Sequence, residues 1–344
     1  MPPEAIRSAL RRLSSGSTLS QDETAEAFAE VMAGEGSPAQ VAALLMALRV
    51  RGETPDEVAG AARALRGAMR PLAARDPESL VDTCGTGGGT ISTFNISTAA
   101  ALVAAGAGVR VAKHGNRSFT SRCGSADVLE ALGVNIEASP EVGAQVLERA
   151  GIVFMYAPTM HPAMRHVGPI RRELAIPTVM NIVGPLANPA SAGRQVMGVA
   201  DSDRLELLAG ALGALETVHA LVVHGAPGLD EISPLGPTDV VEVRGGTVNR
   251  WTLDPTSFGM ELARAEDLAG GEPEENAALV ADVLRGHGPA GARAAVTLNA
   301  AAALYVAGLV DDFATGVARA REALHDGAGE AALDRMREAY RAFG

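Results

Sequence analysis

The sequence predicts an α/β protein built from a small N-terminal helical domain, 1–72, and a larger α/β domain, 73–344, with a mostly parallel central sheet and C-terminal helices. Three observations lead there. The first 72 residues carry four helical patterns with reciprocal capping residues, short strand-like runs alternate with helical ones from residue 80, and the Ala-rich tail from 272 is helical throughout.

In the helical region Ser20 precedes Glu23, Ser37 precedes Pro38 and Gln40, and Thr54 precedes Pro55 and Glu57. These are capping boxes, two of them with proline at the first helical position. Residues 71–77, bounded by prolines, read as a linker. Strands are expected at 80–84, 109–112, 152–157, 196–200 and 218–223, with helices at 97–107, 126–132, 140–150 and 203–212. Such alternation fits parallel strands covered by helices on both faces. Residues 240–254 are expected as an antiparallel addition, and four helices should follow from 272.

A chain of 344 residues, 47% hydrophobic, buries a large core without staples. Its two cysteines, Cys84 and Cys123, build no disulfide framework, and MPPEAIRSALRRLSS at the start holds no apolar stretch for a signal peptide, so a cytoplasmic location is expected. The longest uncharged apolar run toward the C-terminus, 294–310, has 17 residues, short of the ~20 that span a bilayer. With 29 basic against 41 acidic side chains the net charge is −12, which repels a phosphate backbone, so neither membrane nor nucleic acid is expected as a partner. Of the 29 basic residues 28 are arginine, and Lys113 is the single lysine. That position requires something arginine cannot supply.

The segment VDTCGTGGGTISTFNIST, 81–98, sets a strand, the glycines Gly85, Gly87, Gly88 and Gly89, and a Ser/Thr/Asn-rich helix entry in a row. Backbone N–H groups of such a loop and the helix N-terminus together attract phosphate, although an ordinary strand-to-helix turn reads the same way. Neither commoner phosphate motif fits. No lysine follows the glycines as in G-x-x-x-x-G-K-[ST], and no acidic residue closes the next strand as dinucleotide binding requires. That next strand delivers KHGNRSFTS, 113–121, to the same sheet edge, where Lys113, Asn116, Arg117, Ser118, Thr120 and Ser121 offer donors for several phosphate oxygens. The bland alternative is a solvated basic turn. Ser125 is expected to cap the helix SADVLEALG and could itself touch the ligand.

Farther on, HPAMRHVGPIRREL supplies His161, Arg165, His166, Arg171 and Arg172 on a helix expected to begin near Pro162, so only some of the arginines can face one site. An arginine fork matches a planar carboxylate. The loop TVMNIVGPLANP, 178–189, reads as rigid and packed, and Asp230 and Glu231, after a strand and the turn HGAPGL, suit Mg²⁺ beside a phosphate better than acid/base work. No histidine and cysteine set has zinc spacing, and no serine sits in G-x-S-x-G.

CGTGGGTISTFNIST, VAKHGNRS, GSADVLEALG, HPAMRHVGPIRREL, NIVGPLANP and LVVHGAPGLDE, in this order and spacing, closely resemble the anthranilate phosphoribosyltransferase family over nearly the whole chain. The resemblance implies a homodimer formed through the helical domain, with helices from around 165–190 joining it. It also implies transfer of the phosphoribosyl group from 5-phosphoribosyl 1-diphosphate to anthranilate in tryptophan biosynthesis. Carried over, Gly85, Gly88 and Gly89 lie against the donor, and Thr93, Asn95, Ile96, Ser97 and Thr98 hold its ribose and diphosphate. Lys113, His114, Gly115, Asn116, Arg117, Ser118, Phe119, Thr120, Ser121 and Ser125 complete the phosphate shell. Ser97, Asp230 and Glu231 bind Mg²⁺, two ions with the donor bound, while Asn116 and Arg171 meet anthranilate near Gly85. Lys113 and Arg171 are the expected catalytic groups, with His114 the candidate to take the amine proton. Where the family often reads GTGGDG this chain reads GTGGGT, so Gly89 replaces an acidic residue and backbone or water must serve instead. A pyrimidine nucleoside phosphorylase and a nucleic-acid-binding relative share the architecture; the HGNR, HPAM and GLDE set argues against the first and the charge against the second.

Overall fold

The structure, a computed structural model, describes residues 4–118 and 122–344. It begins with α1 (Glu4–Ser14), α2 (Gln21–Ala33), α3 (Pro38–Arg51) and α4 (Pro55–Gly67). All three expected capping boxes form, with the Ser20, Ser37 and Thr54 hydroxyls accepting from the N–H three residues on and the Glu23, Gln40 and Glu57 side chains accepting in return. Glu57 reaches further. Fully buried, it also accepts from Leu19 N at 2.8 Å and from the Arg51 guanidinium, so this one cap ties α4 to the turn before α2.

Next come β1 (Val81–Gly85), α5 (Ile96–Gly106), β2 (Val111–Gly115), α6 (Ser125–Ala131), α7 (Pro140–Ala150) and β3 (Ile152–Tyr156). After α8 (Ala157–Met160) and α9 (Gly168–Leu174) follow β4 (Arg194–Gly198), α10 (Leu205–Ala214) and β5 (His219–Gly225). The antiparallel pair β6 (Thr238–Arg244) and β7 (Thr247–Leu253) leads to α11 (Pro273–Leu284), α12 (Ala290–Val306), α13 (Phe313–His325) and α14 (Ala328–Phe343). The seven strands lie in the order β3-β2-β1-β4-β5-β6-β7, with β3 through β5 parallel and β6 and β7 antiparallel. The winding reverses at β1, so the carboxyl ends of β1 and β4 open the crevice where ligands bind in such sheets.

Successive strand residues alternate between two cores. Val196, Leu221, Val223 and Val240 pack with α5 and the C-terminal helices, whereas Met197, Val199, Ala220, Val222, Val241 and Val243 pack with α10, the four N-terminal helices and residues 163–187. The helical layer therefore continues across one face of the sheet, with α4 against α10. Among the described residues no helix is long and apolar enough to cross a membrane.

Four local expectations change. β2 runs on to Gly115 because Lys113, His114 and Gly115 pair with Phe154, Met155 and Tyr156 of β3, which places Lys113 and His114 inside a buried strand rather than after it. Ser125 is not the cap of α6: Gly124 is, because the Asp127 carboxylate accepts from Gly124 N at 2.8 Å and Ser118 N at 3.1 Å and takes over the capping. Residues 162 onward form a 3₁₀ turn, Pro162–His166, before α9 begins, since Pro169 at the second position of α9 starts a new helix instead of continuing one. The helix expected from 203 is preceded by a separate 3₁₀ turn, Ser202–Arg204, capped by Asp201.

Candidate active site at the carboxyl edge of the sheet

Gly85 and Gly198 stand opposite one another on β1 and β4, and the turn carrying Asp230 rests on both. A Cβ on Gly85 would lie 2.5 Å from Asp230 Oδ2, and one on Gly198 would overlap the Asp230 carbonyl oxygen, so any side chain here would lift the acidic turn off the sheet. The glycine loop then folds onto that turn. Gly87 N–H donates to Asp230 Oδ2 at 2.8 Å, Thr90 N–H to the Gly228 carbonyl at 3.1 Å, and the Thr90 hydroxyl to the Pro227 carbonyl at 3.1 Å. Ser97 N–H, in the first turn of α5, donates to Glu231 Oε1 at 3.1 Å. Both carboxylates are thus fixed where the loop meets the helix N-terminus. Gly89 borders the same acid pair, its Cβ position being 3.3 Å from Asp230 Oδ1.

Lys113 comes to this place from below. Only 3% exposed, its ammonium donates to the Thr83 carbonyl at 2.5 Å, to Thr83 Oγ1 at 3.4 Å and to Ser97 Oγ at 3.3 Å. A solvated strand-end cation is therefore excluded. Asp82, also buried, accepts from His114 N at 3.1 Å and from Asn188 Nδ2 at 2.8 Å.

The charges here are poorly solvated, and their protonation equilibria move accordingly. Burial, reinforced by the neighbouring Asp230, pushes the Glu231 carboxyl up to about 8, and burial also raises Asp230. Burial pushes Asp82 up to about 6 against the opposing pull of Lys113. Burial lowers Lys113 while Asp82, Cys84 and Glu231 hold its proton on. His114 and His161, whose rings lie 4.9 Å apart, are pushed down by burial to about 3 and about 4 and stay neutral. Among the described residues Thr98 Oγ1 and His114 Nε2 are buried without a hydrogen-bond partner, as are Arg51 Nε, Glu53 Oε1, Thr178 Oγ1 and His219 Nδ1 elsewhere in the chain.

The remaining expected residues sort into groups. Thr93 forms an isolated bridge with Ala269 beside the loop, and Asn95, before α5, donates to the Cys123 carbonyl at 3.2 Å and accepts from Asn276 Nδ2 at 2.9 Å. Ile96 is core, 1% exposed, so only its backbone can face a ligand. Gly115 closes β2 against Ser125, whose hydroxyl donates to the Asn116 carbonyl at 3.4 Å. The Asn116 side chain accepts from Arg117 N, and Ser118 N–H donates to Asp127 Oδ2. The Arg117 guanidinium is bound to Asp127 at 2.9 Å and Glu130 at 2.8 Å, turned to α6. Phe119, Thr120 and Ser121 lie outside the described residues. Arg165 and Arg172 are exposed, whereas Arg171 is half-buried and no described residue pairs with its guanidinium.

Sequence reasoning missed Asp82, Thr83 and Asn188 as parts of this cluster. A signal existed for Asp82, an acid inside the apolar strand just before the glycines, and for Asn188, an amide in the packed loop; neither names its partner without the fold.

The glycosyl transferase family α/β domain matches residues 77–330, and the helical bundle domain of the same family matches residues 7–69. An anthranilate phosphoribosyltransferase of Thermomicrobium roseum is 52% identical over 96% of this chain and 95% of its own length, and one of Rubrobacter xylanophilus is 51% identical over 96% of each. The solved anthranilate phosphoribosyltransferase of Thermus thermophilus superposes with a TM-score of 0.91 at 46% identity, covering 97% of this chain and 99% of that one. That of Saccharomyces cerevisiae in complex with PRPP and Mg superposes with a TM-score of 0.87 at 27% identity and 98% coverage of both chains. With its two domain matches, full-length relatives and an acid pair seated under a glycine loop, this chain belongs to the anthranilate phosphoribosyltransferase family.

Proposed function

We propose that the chain transfers the 5-phosphoribosyl group from 5-phosphoribosyl 1-diphosphate to the amine of anthranilate, releasing diphosphate, as a step of tryptophan biosynthesis in the cytoplasm. One observation supports this most. The acid pair Asp230 and Glu231 is held by N–H groups of the glycine loop and of α5, so a divalent cation and a diphosphate would meet at a single point.

Asp230, Glu231 and Ser97 fit Mg²⁺, being hard oxygen donors beside a phosphate-binding loop, and two carboxylates completed by substrate oxygens and water are the usual set. When bound, Mg²⁺, two ions with the donor in place, neutralises the diphosphate. The loop at Gly85, Gly88 and Gly89, with Thr93, Asn95 and Thr98, holds the donor's ribose and phosphates. Lys113 lies beneath, where its ammonium draws charge toward the departing diphosphate. Asn116, Ser118 and Ser125 extend the shell, and Arg117 orders the wall through α6. The unpaired Arg171 guanidinium grips the anthranilate carboxylate and, with Asn116, sets the amine for attack on the anomeric carbon as the bond to diphosphate breaks. Aromatic amines are nucleophilic while neutral, so no strong base is required. Neutral His114, with Nε2 unpartnered, receives the proton of the strongly acidic N-aryl ammonium that forms. Residues 1–72, joined by helices from around 165–190, serve as the helical domain and the face of a homodimer, and 73–344 as the donor-binding domain.

Fluorescence of phosphoribosyl-anthranilate formation from anthranilate, donor and Mg²⁺, run beside thymidine with phosphate, tests the reading. Turnover confined to the first pair is expected; phosphorolysis of thymidine alone would replace it with a nucleoside phosphorylase.

A further inference from the structure

We propose that Asp82 and Asn188 form a wedge that holds β1 and β2 apart and thereby positions Lys113, an inference that rests on the donor-facing role given to Lys113 above. The two strands pair only at Val81 with Val111, whereas β2 pairs with β3, and β1 with β4, along their full lengths. Beyond Val81 the backbone groups that a continued ladder would consume are met by side chains instead. His114 N–H goes to Asp82 Oδ1 at 3.1 Å, the Ala112 carbonyl accepts from Asn188 Nδ2 at 2.8 Å, and the Thr83 carbonyl accepts from the Lys113 ammonium.

Buried backbone donors and acceptors must be paired, so these three substitutions are what allows the split to persist. Asn188 locks the arrangement. Its amide nitrogen donates to both Asp82 Oδ2 and the Ala112 carbonyl at 2.8 Å, while its Oδ1 accepts from Ala190 N at 2.9 Å. Asp82 is 1% and Asn188 4% exposed, so neither is a group for the ligand; they act through what they hold open.

What stands in the opening is Lys113. Its stem passes from β2 into the gap, and its ammonium emerges 3.3 Å from Ser97 Oγ, on the residue whose N–H grips Glu231. Closure of the ladder would give the Thr83 carbonyl a backbone partner and displace the ammonium from the mouth of the site. Asp82 and Asn188 are thus positioning residues, and their loss should be felt by the donor and not by anthranilate.

Titration calorimetry of 5-phosphoribosyl 1-diphosphate with Mg²⁺ on the full chain tests this, using Asp82→Asn, Asn188→Ala, Lys113→Met and each of the first two combined with Lys113→Met. Because groups that act through one another are not additive, Asp82→Asn should weaken the donor about tenfold alone but less than about twofold in the Lys113→Met background, with the KM for anthranilate unchanged. Asn188→Ala leaves both charges in place and should show the same pattern at roughly threefold, giving the comparison independently of how Asp82→Asn folds. Parental donor affinity in both single variants, or an equal loss in both backgrounds, overturns the wedge. Parental affinity in Lys113→Met would instead overturn the donor-facing role of Lys113, a separate result.

Discussion

Two buried clusters of carboxylate and histidine lie on opposite edges of one sheet, and they are built to opposite rules. At the amino edge of β5, Glu242 accepts from His219 Nε2 at 2.8 Å, from Tyr305 OH at 3.0 Å and from Trp251 Nε1 at 3.1 Å, and the His219 hydrogen bond above all holds its carboxyl below the usual range. At the carboxyl edge, Asp230 accepts from Gly87 N–H of the loop and Glu231 from Ser97 N–H of α5, and burial drives both carboxyls up. A polar network that stabilises a fold satisfies its charge; a site awaiting a cation and a phosphate leaves its charge incompletely matched by the protein. Three side-chain donors turned to Glu242, against backbone N–H groups at Asp230 and Glu231, separate the two.

The largest effect should come from removing the acid pair. Asp230→Ala with Glu231→Ala is expected to lower kcat/KM by more than about a thousandfold, the scale of losing preorganised charge stabilisation, while the thermal midpoint stays at or above that of the parent. Retained turnover would break the comparison at once. Arg171→Ala comes next. Charge-assisted hydrogen bonds are worth about 1.5–3 kcal/mol, so the KM for anthranilate should rise roughly tenfold to more than a hundredfold, with the donor much less affected. An equal rise for both substrates would move Arg171 to the phosphates.

Lys113→Arg sharpens the contrast between charge and shape. The planar guanidinium cannot take the ammonium's place between Thr83 and Ser97, so kcat/KM for the donor should fall about tenfold, or ~1.4 kcal/mol. Because the side chain is 3% exposed, overpacking should also lower stability by about 1–3 kcal/mol, where the lone lysine read as a strand-end residue would predict none. Steady-state kinetics and a urea melt together decide this, and parental values in both would place Lys113 outside the site.

A further effect concerns acid. His114 and His161 are neutral in the folded chain down to about 3 and about 4, whereas in the unfolded chain they take up protons below about 6.5. The unfolded state then binds more protons, so stability is lost as pH falls from about 6.5 toward 4, by about 2 kcal/mol per histidine at pH 5. His161→Gln should remove about half of that loss between urea melts at pH 7 and pH 5; an unchanged acid slope would contradict the burial assigned to the pair.

What the sequence made legible was local. Ser20 with Glu23, Ser37 with Gln40 and Thr54 with Glu57 lie within one helical turn of each other, so the caps could be read directly and all three form. The alternation of strands and helices, and the ordering of the glycine loop, the lysine strand and the acidic turn along one edge, followed from motif order. What stayed hidden depends on partners far apart in the chain. Lys113 and His114 read as the end of a strand because polar residues seldom continue one, yet pairing with β3 and the contacts of Asp82 and Asn188 bury them. Ser125 read as a cap because serine favours that position, but Asp127 reaches back to Gly124 and Ser118 and claims the role.

The central claim, that the carboxyl-edge acids are left unsatisfied by the protein while the amino-edge acid is satisfied, is tested most directly by urea unfolding at pH 8 of Glu231→Gln beside Glu242→Gln. A carboxyl raised to about 8 binds its proton more tightly in the folded chain than in the unfolded one, so its contribution is present at low pH and lost as pH rises from about 4.5 through 8. Glu231→Gln should therefore be at least as stable as the parent at pH 8 and almost inactive. Glu242→Gln should be less stable by about 1–3 kcal/mol, the range for a weakened buried hydrogen-bond network, with turnover within about twofold of the parent. Equal destabilisation by both substitutions, or greater stability on losing Glu242, would contradict the claim.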